Sequence, residues 1–73
     1  MNNKTINTGD LVYIPSEVTV YQKSGPADDM ITTAYKKVKQ PTNVLVISVF
    51  SKSYEVFFEN EYWLVNKENV YKT

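Results

Sequence analysis

Glu59 and Glu61 stand two residues apart near the end of a 73-residue chain. A pair of carboxylates is the minimum equipment for acid–base hydrolysis of a glycosidic bond. These two flank a predicted hairpin tip, open to water, with no burial to set one of them apart as an acid. They read as solvated hairpin charges. Five serines, Ser16, Ser24, Ser48, Ser51 and Ser53, are possible nucleophiles, but a serine needs a base to activate it. The chain has no histidine and no cysteine, and no nucleophile elbow surrounds any of the serines. Without Cys or His, structural zinc and most transition-metal sites have no usable ligands. Asp28 and Asp29 follow Gly25-Pro26, yet two adjacent acids do not supply the six or more oxygens that calcium takes. Neither an enzyme nor a cofactor is expected.

Lys36, Lys37 and Lys39 form the one basic cluster. A loop of this kind on a small barrel can lie on a phosphate backbone. The whole chain, however, balances eight lysines against eight acids and has no arginine. Nucleic-acid binders show a positive excess and use Arg to read bases, and three lysines neutralise few phosphates. Weak nucleic-acid binding through these lysines is therefore an unfavoured alternative.

Six of the ten aromatic residues fall between Tyr54 and Tyr71. In a strand, successive side chains face opposite ways. Along YEVFFE, Tyr54, Val56 and Phe58 share one face, and Glu55, Phe57 and Glu59 share the wet one. Along YWLV, Trp63 goes with Val65 and Tyr62 with Leu64. Tyr54, Val56 and Phe58 are assigned to the core, and Trp63 joins them if Val65 is core, which the family resemblance given below implies. Phe57, Tyr62 and Leu64, extended by Tyr13 or Tyr71, form a candidate contact patch, because exposed aromatic clusters mark contacts. The competing reading is that the N-terminal residues or a long loop cover them.

The elements that position these side chains are short. Residues 1–8 carry no periodicity and read as a flexible tail before a single domain at 9–73. LVYIP is a strand stopped by Pro15. VTVYQ is either a strand or an extended loop arm, and KSGPADD is a loop. MITTAYKKVKQ favours extended structure, although a helix would gather Ile31, Tyr35 and Val38 on one face. NVLVISVF is apolar on both faces and reads as the central strand. YEVFF and YWLV form a hairpin around Glu59-Asn60-Glu61, with Asn60 suited to positive φ. NKEN is a 3-10 turn and VYK a final strand. The expectation is all-β: five or six short antiparallel strands with one 3-10 turn before the last, curled into a small barrel to remove sheet edges.

The order YQKSGPADDMITTAYKK, NVLVISVFSKSYEVFFENEYWLVNKENVY resembles the bacterial SH3 domain. Ser24-Gly25-Pro26 matches its Ser-Gly-Pro loop, Tyr54-Glu55-Val56 part of its WYKV strand, and Val65 the valine of its GWV strand. The chain departs from that pattern at Asn60, where the family has Gly, at Trp63 and Leu64, and at the reversed Val70-Tyr71 pair. The ALYDY motif and Trp pair of the eukaryotic domains are absent, so their proline-peptide groove is not implied. GDLVYIPSEV, QPTNVLV and YEVFFENEYWLVNKENVY also resemble small accessory proteins of tailed phages, especially myophages of marine bacteria.

These resemblances imply an SH3-like barrel and a phage accessory protein; with no catalytic groups and a candidate aromatic patch, the expected role is a non-enzymatic module that binds a host or phage protein. A virion or cell-wall-binding component is the alternative. MNNKTINT is not a signal peptide, and NVLVISVF is too short to span a bilayer, so a cytoplasmic location, that of the host cell, is expected. Between Asn43 and Phe50, Leu45, Ile47 and their neighbours leave an outer face in need of cover. That predicts a partner, a second copy or a loop folded over it, and net zero charge does not oppose self-association.

Overall fold

Runs of β-branched and aromatic residues, punctuated by Gly, Pro, Asn and Ser, form the strands. The computed structural model describes residues 5–26 and 28–73. Among them are seven strands: β1 Leu11–Ile14, β2 Thr19–Ser24, β3 Ile31–Lys37, β4 Thr42–Val49, β5 Ser53–Phe58, β6 Glu61–Asn66 and β7 Tyr71–Lys72. A 3-10 turn, Lys67–Asn69, precedes β7 as expected. Every pairing is antiparallel, in one sheet of order β3-β2-β6-β5-β4-β1-β7. The end strands β3 and β7 are not paired with each other, so the hydrogen-bonded sheet is open rather than closed on itself.

The strand count exceeds the expected five or six because residues 19–37 form a full hairpin. Gly25 makes its turn possible: its φ is +120°, and an added Cβ would lie 3.0 Å from the Asp29 carbonyl. The Asp29 amide donates to the Pro26 carbonyl at 2.9 Å and tightens the bend. The helical alternative for residues 30–40 fails on burial. Ile31 and Tyr35 are exposed while Val38 is fully buried, which is strand alternation.

One inner layer holds the sheet together. Val12, Ile14, Val20, Val38, Val46, Val56 and Val65 are almost wholly buried, and Ile6, Val44, Tyr54, Trp63 and Val70 join them. The cluster draws on β1, β2, β4, β5 and β6 and on the residues flanking β3 and β7, so the sheet curls about a single core. Of the five residues assigned to the core from β5 and β6, four are buried, and Phe58 packs partly buried against them. The Trp63 indole N–H is buried with no acceptor among the described residues, an arrangement that costs on the order of 1–3 kcal/mol.

Residues 1–4 of the expected tail lie outside the described residues. The rest of that segment belongs to the fold, since Ile6 enters the core. The Asn7–Asp10 turn docks on β4, with the Gly9 amide donating to the Val46 carbonyl at 2.8 Å and the Val46 amide to the Asp10 carbonyl at 2.9 Å. Asp10 fastens both ends of the chain. Its carboxylate Oδ2 accepts the Asn7 amide at 2.9 Å and the Lys72 ammonium at 3.2 Å, and Lys72 also donates to the Thr5 carbonyl at 3.0 Å. The Asn7 amide first, and then Lys72, hold the Asp10 carboxyl below its ordinary value.

The β5–β6 hairpin closes through a two-residue turn rather than three, Phe58 facing Glu61 directly. Glu59 and Asn60 have φ of 52° and 67°, the type I′ geometry that matches strand twist. Asn60→Val should lower stability by about 1–2 kcal/mol, while Asn60→Gly should stay within about 0.5 kcal/mol of the parent. Denaturant midpoints at unchanged slope measure both.

A lowered folded-state pKa means that Asp10 contributes stability above its unfolded value, 3.8, and loses it as pH falls through the lower folded value. Asp10→Asn should therefore be less stable than the parent at neutral pH. The gap should close in strong acid, below pH 3.8, when melting is followed across a pH series.

Candidate functional site

The two-residue period that fills the core forces the alternate side chains outward. On β5 and β6 these are Phe57, Tyr62 and Leu64. Phe57 faces Tyr62 in register, and their rings meet edge to face, centroids 5.4 Å apart. Phe57 also faces Leu45 on β4, and Leu45 faces Leu11 on β1. Leu11, Leu45, Phe57 and Tyr62 thus form one cross-strand row over four adjacent strands, spanning roughly 14 Å at ordinary strand spacing. Their exposures are 55%, 40%, 40% and 55%. Among the described residues, neither 5–8 nor the β2–β3 hairpin covers any of the four to the point of burial.

The remaining predicted residues flank this row. Leu64 is half-buried on the same face of β6, in register with Glu55 and Tyr21. Tyr13 lies on the Leu11 face of β1 and pairs with Tyr71 on β7, their rings 6.5 Å apart. Beyond Tyr62 and Leu64 the surface becomes concave. An open hollow of about 770 Å³ there is walled by Tyr21, Met30, Phe50, Tyr62 and Leu64, with Gln22, Glu55 and Glu61 as polar lining. Gln22 is fixed by donating to the Tyr62 carbonyl at 2.9 Å and the Glu61 carboxylate at 3.0 Å.

Leu11 belongs to the row although its own strand gives no sign of it. It becomes a neighbour of Phe57 only through the β1–β4 and β4–β5 registers, which are long-range pairings. In β4 the alternation breaks at Ile47, an extra residue between the Val46–Val56 and Ser48–Glu55 pairs. Ile47 is half-buried, so of the outer face predicted for this strand Leu45 stays in the row while Val49 and Phe50 are exposed beyond the bulge.

The lysine cluster is largely matched by acids. Lys36 pairs with Glu59 and lies over the Phe58 ring, 5.8 Å from its centroid. Lys37 pairs with Glu17 at 3.5 Å. Lys39 is exposed beside them, and a hollow of about 500 Å³ opens between this segment and Phe58. Glu59 and Glu61, the imagined catalytic pair, are thus engaged with Lys36 and Gln22. Asp28 and Asp29 are exposed in the β2–β3 turn.

No family model, curated protein or solved structure matches the chain. No helix among the described residues is long and apolar enough to cross a membrane.

Opposite faces of β4 should respond oppositely to charge. Leu45→Lys, on the exposed row, should cost less than about 1 kcal/mol. Val46→Lys, one residue on, would bury an unpaired ammonium and should abolish the cooperative unfolding transition. Far-ultraviolet dichroism with denaturant titration distinguishes the two.

Proposed function

We propose that this chain is a non-enzymatic protein-interaction module, an SH3-like barrel in outline, that docks a protein partner on its outer sheet face. In keeping with the sequence resemblance, we propose a phage-encoded accessory protein whose partner is a host or phage protein. The cross-strand row Leu11, Leu45, Phe57 and Tyr62 carries the reading. Single exposed apolar residues are ordinary on any surface, but a contiguous row in register over four strands is not. It combines a central aromatic pair with the concave, partly polar surface beyond Tyr62, the mixture of anchor and hydrogen-bonding rim found at protein interfaces.

The barrel outline is supported by the curl of the sheet about one core, by the long β2–β3 hairpin that follows the first strand, and by the 3-10 turn before the last strand. Against a phosphate-binding role, Lys36 and Lys37 already face Glu59 and Glu17.

The test compares the wild-type chain with a Phe57→Ser, Tyr62→Ser double variant as immobilised baits in lysate of candidate host cells, with and without phage. A partner retained by the wild type and lost by the variant is then purified. Its affinity should fall at least about tenfold on the double substitution, as for central aromatic anchors, while Lys36→Gln, Lys37→Gln leaves it unchanged. Binding that survives the aromatic double variant, or that collapses with salt and with the lysine variant, overturns the reading.

A further inference from the structure

The strand β3 ends the sheet on one side, and it is long, regular in exposure and unprotected. Six of its seven residues pair, all with β2. No described side chain donates to or accepts from its backbone, so the outward amides and carbonyls are open to another strand. Such an edge recruits strands unless it is short, covered or blunted. The opposite edge, β7, is only two residues long. On β3, Ile31, Thr33, Tyr35 and Lys37 point outward, and Ile31 and Tyr35 are the most exposed large apolar residues among the described residues, at 63% and 74%.

The charges along this edge are polarised. Asp28 and Asp29 stand before β3, one residue removed, and Lys37 closes it, exposed although it also lies 3.5 Å from Glu17, while Lys36 is held by Glu59. An antiparallel partner of identical sequence would set the acidic end of each strand against the basic end of the other. With Thr33 opposite its own copy, Ile31 faces Tyr35 of the second copy and Tyr35 faces Ile31. This makes two aromatic–β-branched pairs on one face, a favourable cross-strand combination. A parallel or shifted register loses both the charge match and these pairs.

We propose that β3 is a self-association edge, and that two copies of this chain join β3 to β3 about a two-fold axis at Thr33 into one continuous sheet. The contact is isologous, so it closes at two copies. Thr33 is also the extra residue of a bulge, skipped between the Gln22–Ala34 and Lys23–Thr32 pairs. A bend there limits continued pairing by any longer strand, while a two-fold axis through it lets both copies bend alike. The short β7 edge leaves the dimer little means of growing further. This surface is separate from the Phe57–Tyr62 row and does not depend on it.

Sedimentation equilibrium of the wild-type chain from about 10 μM to about 1 mM spans the affinities a small interface supports. Reversible dimerisation is expected, with no larger species. Asp29→Lys and Lys37→Asp should each weaken it about tenfold through two like-charge contacts per dimer. The double Asp29→Lys, Lys37→Asp variant should recover most of the loss, because the polarity of both strands is then reversed together. Circular dichroism establishes that each variant folds; the Lys37–Glu17 pair is exposed and its loss leaves the fold intact. A Phe57→Lys variant should dimerise like the wild type. A strictly monomeric wild type at about 1 mM overturns the proposal. So does dimerisation abolished by Phe57→Lys but insensitive to Asp29→Lys, or a double variant no better than the singles.

Discussion

Everything in this molecule hangs on a single inner layer of β-branched side chains. Apart from Ile14, every residue in the most deeply buried set is a valine. A chain of 73 residues with no cysteine has no disulfide to supplement this layer. Valine suits the task because its branched Cβ loses little freedom in a strand and packs flat against the neighbouring pleat. The layer is thin, so each strand must contribute its alternate residues without slipping, since a one-residue slip would turn its valines into solvent. The two-residue turn at Glu59-Asn60 and the Asp10–Lys72 clamp serve that register, one at a hairpin and the other where the chain ends meet.

The same constraint produces the surface. A strand that commits one set of alternate positions to the core must present the other set outward, whatever their chemistry. On β5 and β6 those positions carry Phe57, Tyr62 and Leu64, and on β1 and β4 they carry Leu11 and Leu45. Folding alone does not require apolar side chains there, because a polar residue at any of them would leave the valine layer untouched. Their presence in register is the feature that stability does not explain, and it is why the outer face rather than the core bears on function.

Residue parity made the second half of the chain legible. YEVFFE holds a clear alternation, with Glu55 marking the wet face and Val56 the dry one, so the position of Phe57 follows from sequence. YWLV is apolar at every position, and its parity is set only by the resemblance that puts Val65 in the core, from which the positions of Tyr62 and Trp63 follow. The first half resisted for identifiable reasons. MITTAYKKVKQ lacks a buried hydrophobic face until Val38, because β3 is an edge strand with only Ala34 packed toward the core, so neither helix nor strand periodicity stands out. Ile6 sits alone in a polar stretch and is recruited by tertiary contact. The extra residue at Ile47 cannot be seen in a run that is apolar at nearly every position. Leu11 joins the aromatic row only through two successive long-range registers, which one strand's sequence does not contain.

An open sheet leaves edges whose pairing has to be controlled. A closed barrel has no edges, whereas this sheet keeps one very short edge, β7, and one long one, β3. Burial cannot protect β3, since the core is already supplied by the other strands and the chain has no further segment to lay beside it among the described residues. Charge is what remains. Lysines at one end and aspartates at the other make the edge selective, because a parallel neighbour of the same sequence meets like charge at both ends while an antiparallel one meets its complement. The arrangement discourages open-ended stacking and permits one specific pairing. Selectivity of this kind is cheap in residues, and in a chain that spends nearly all of its valines on one layer, it is the form of edge control that the core leaves available.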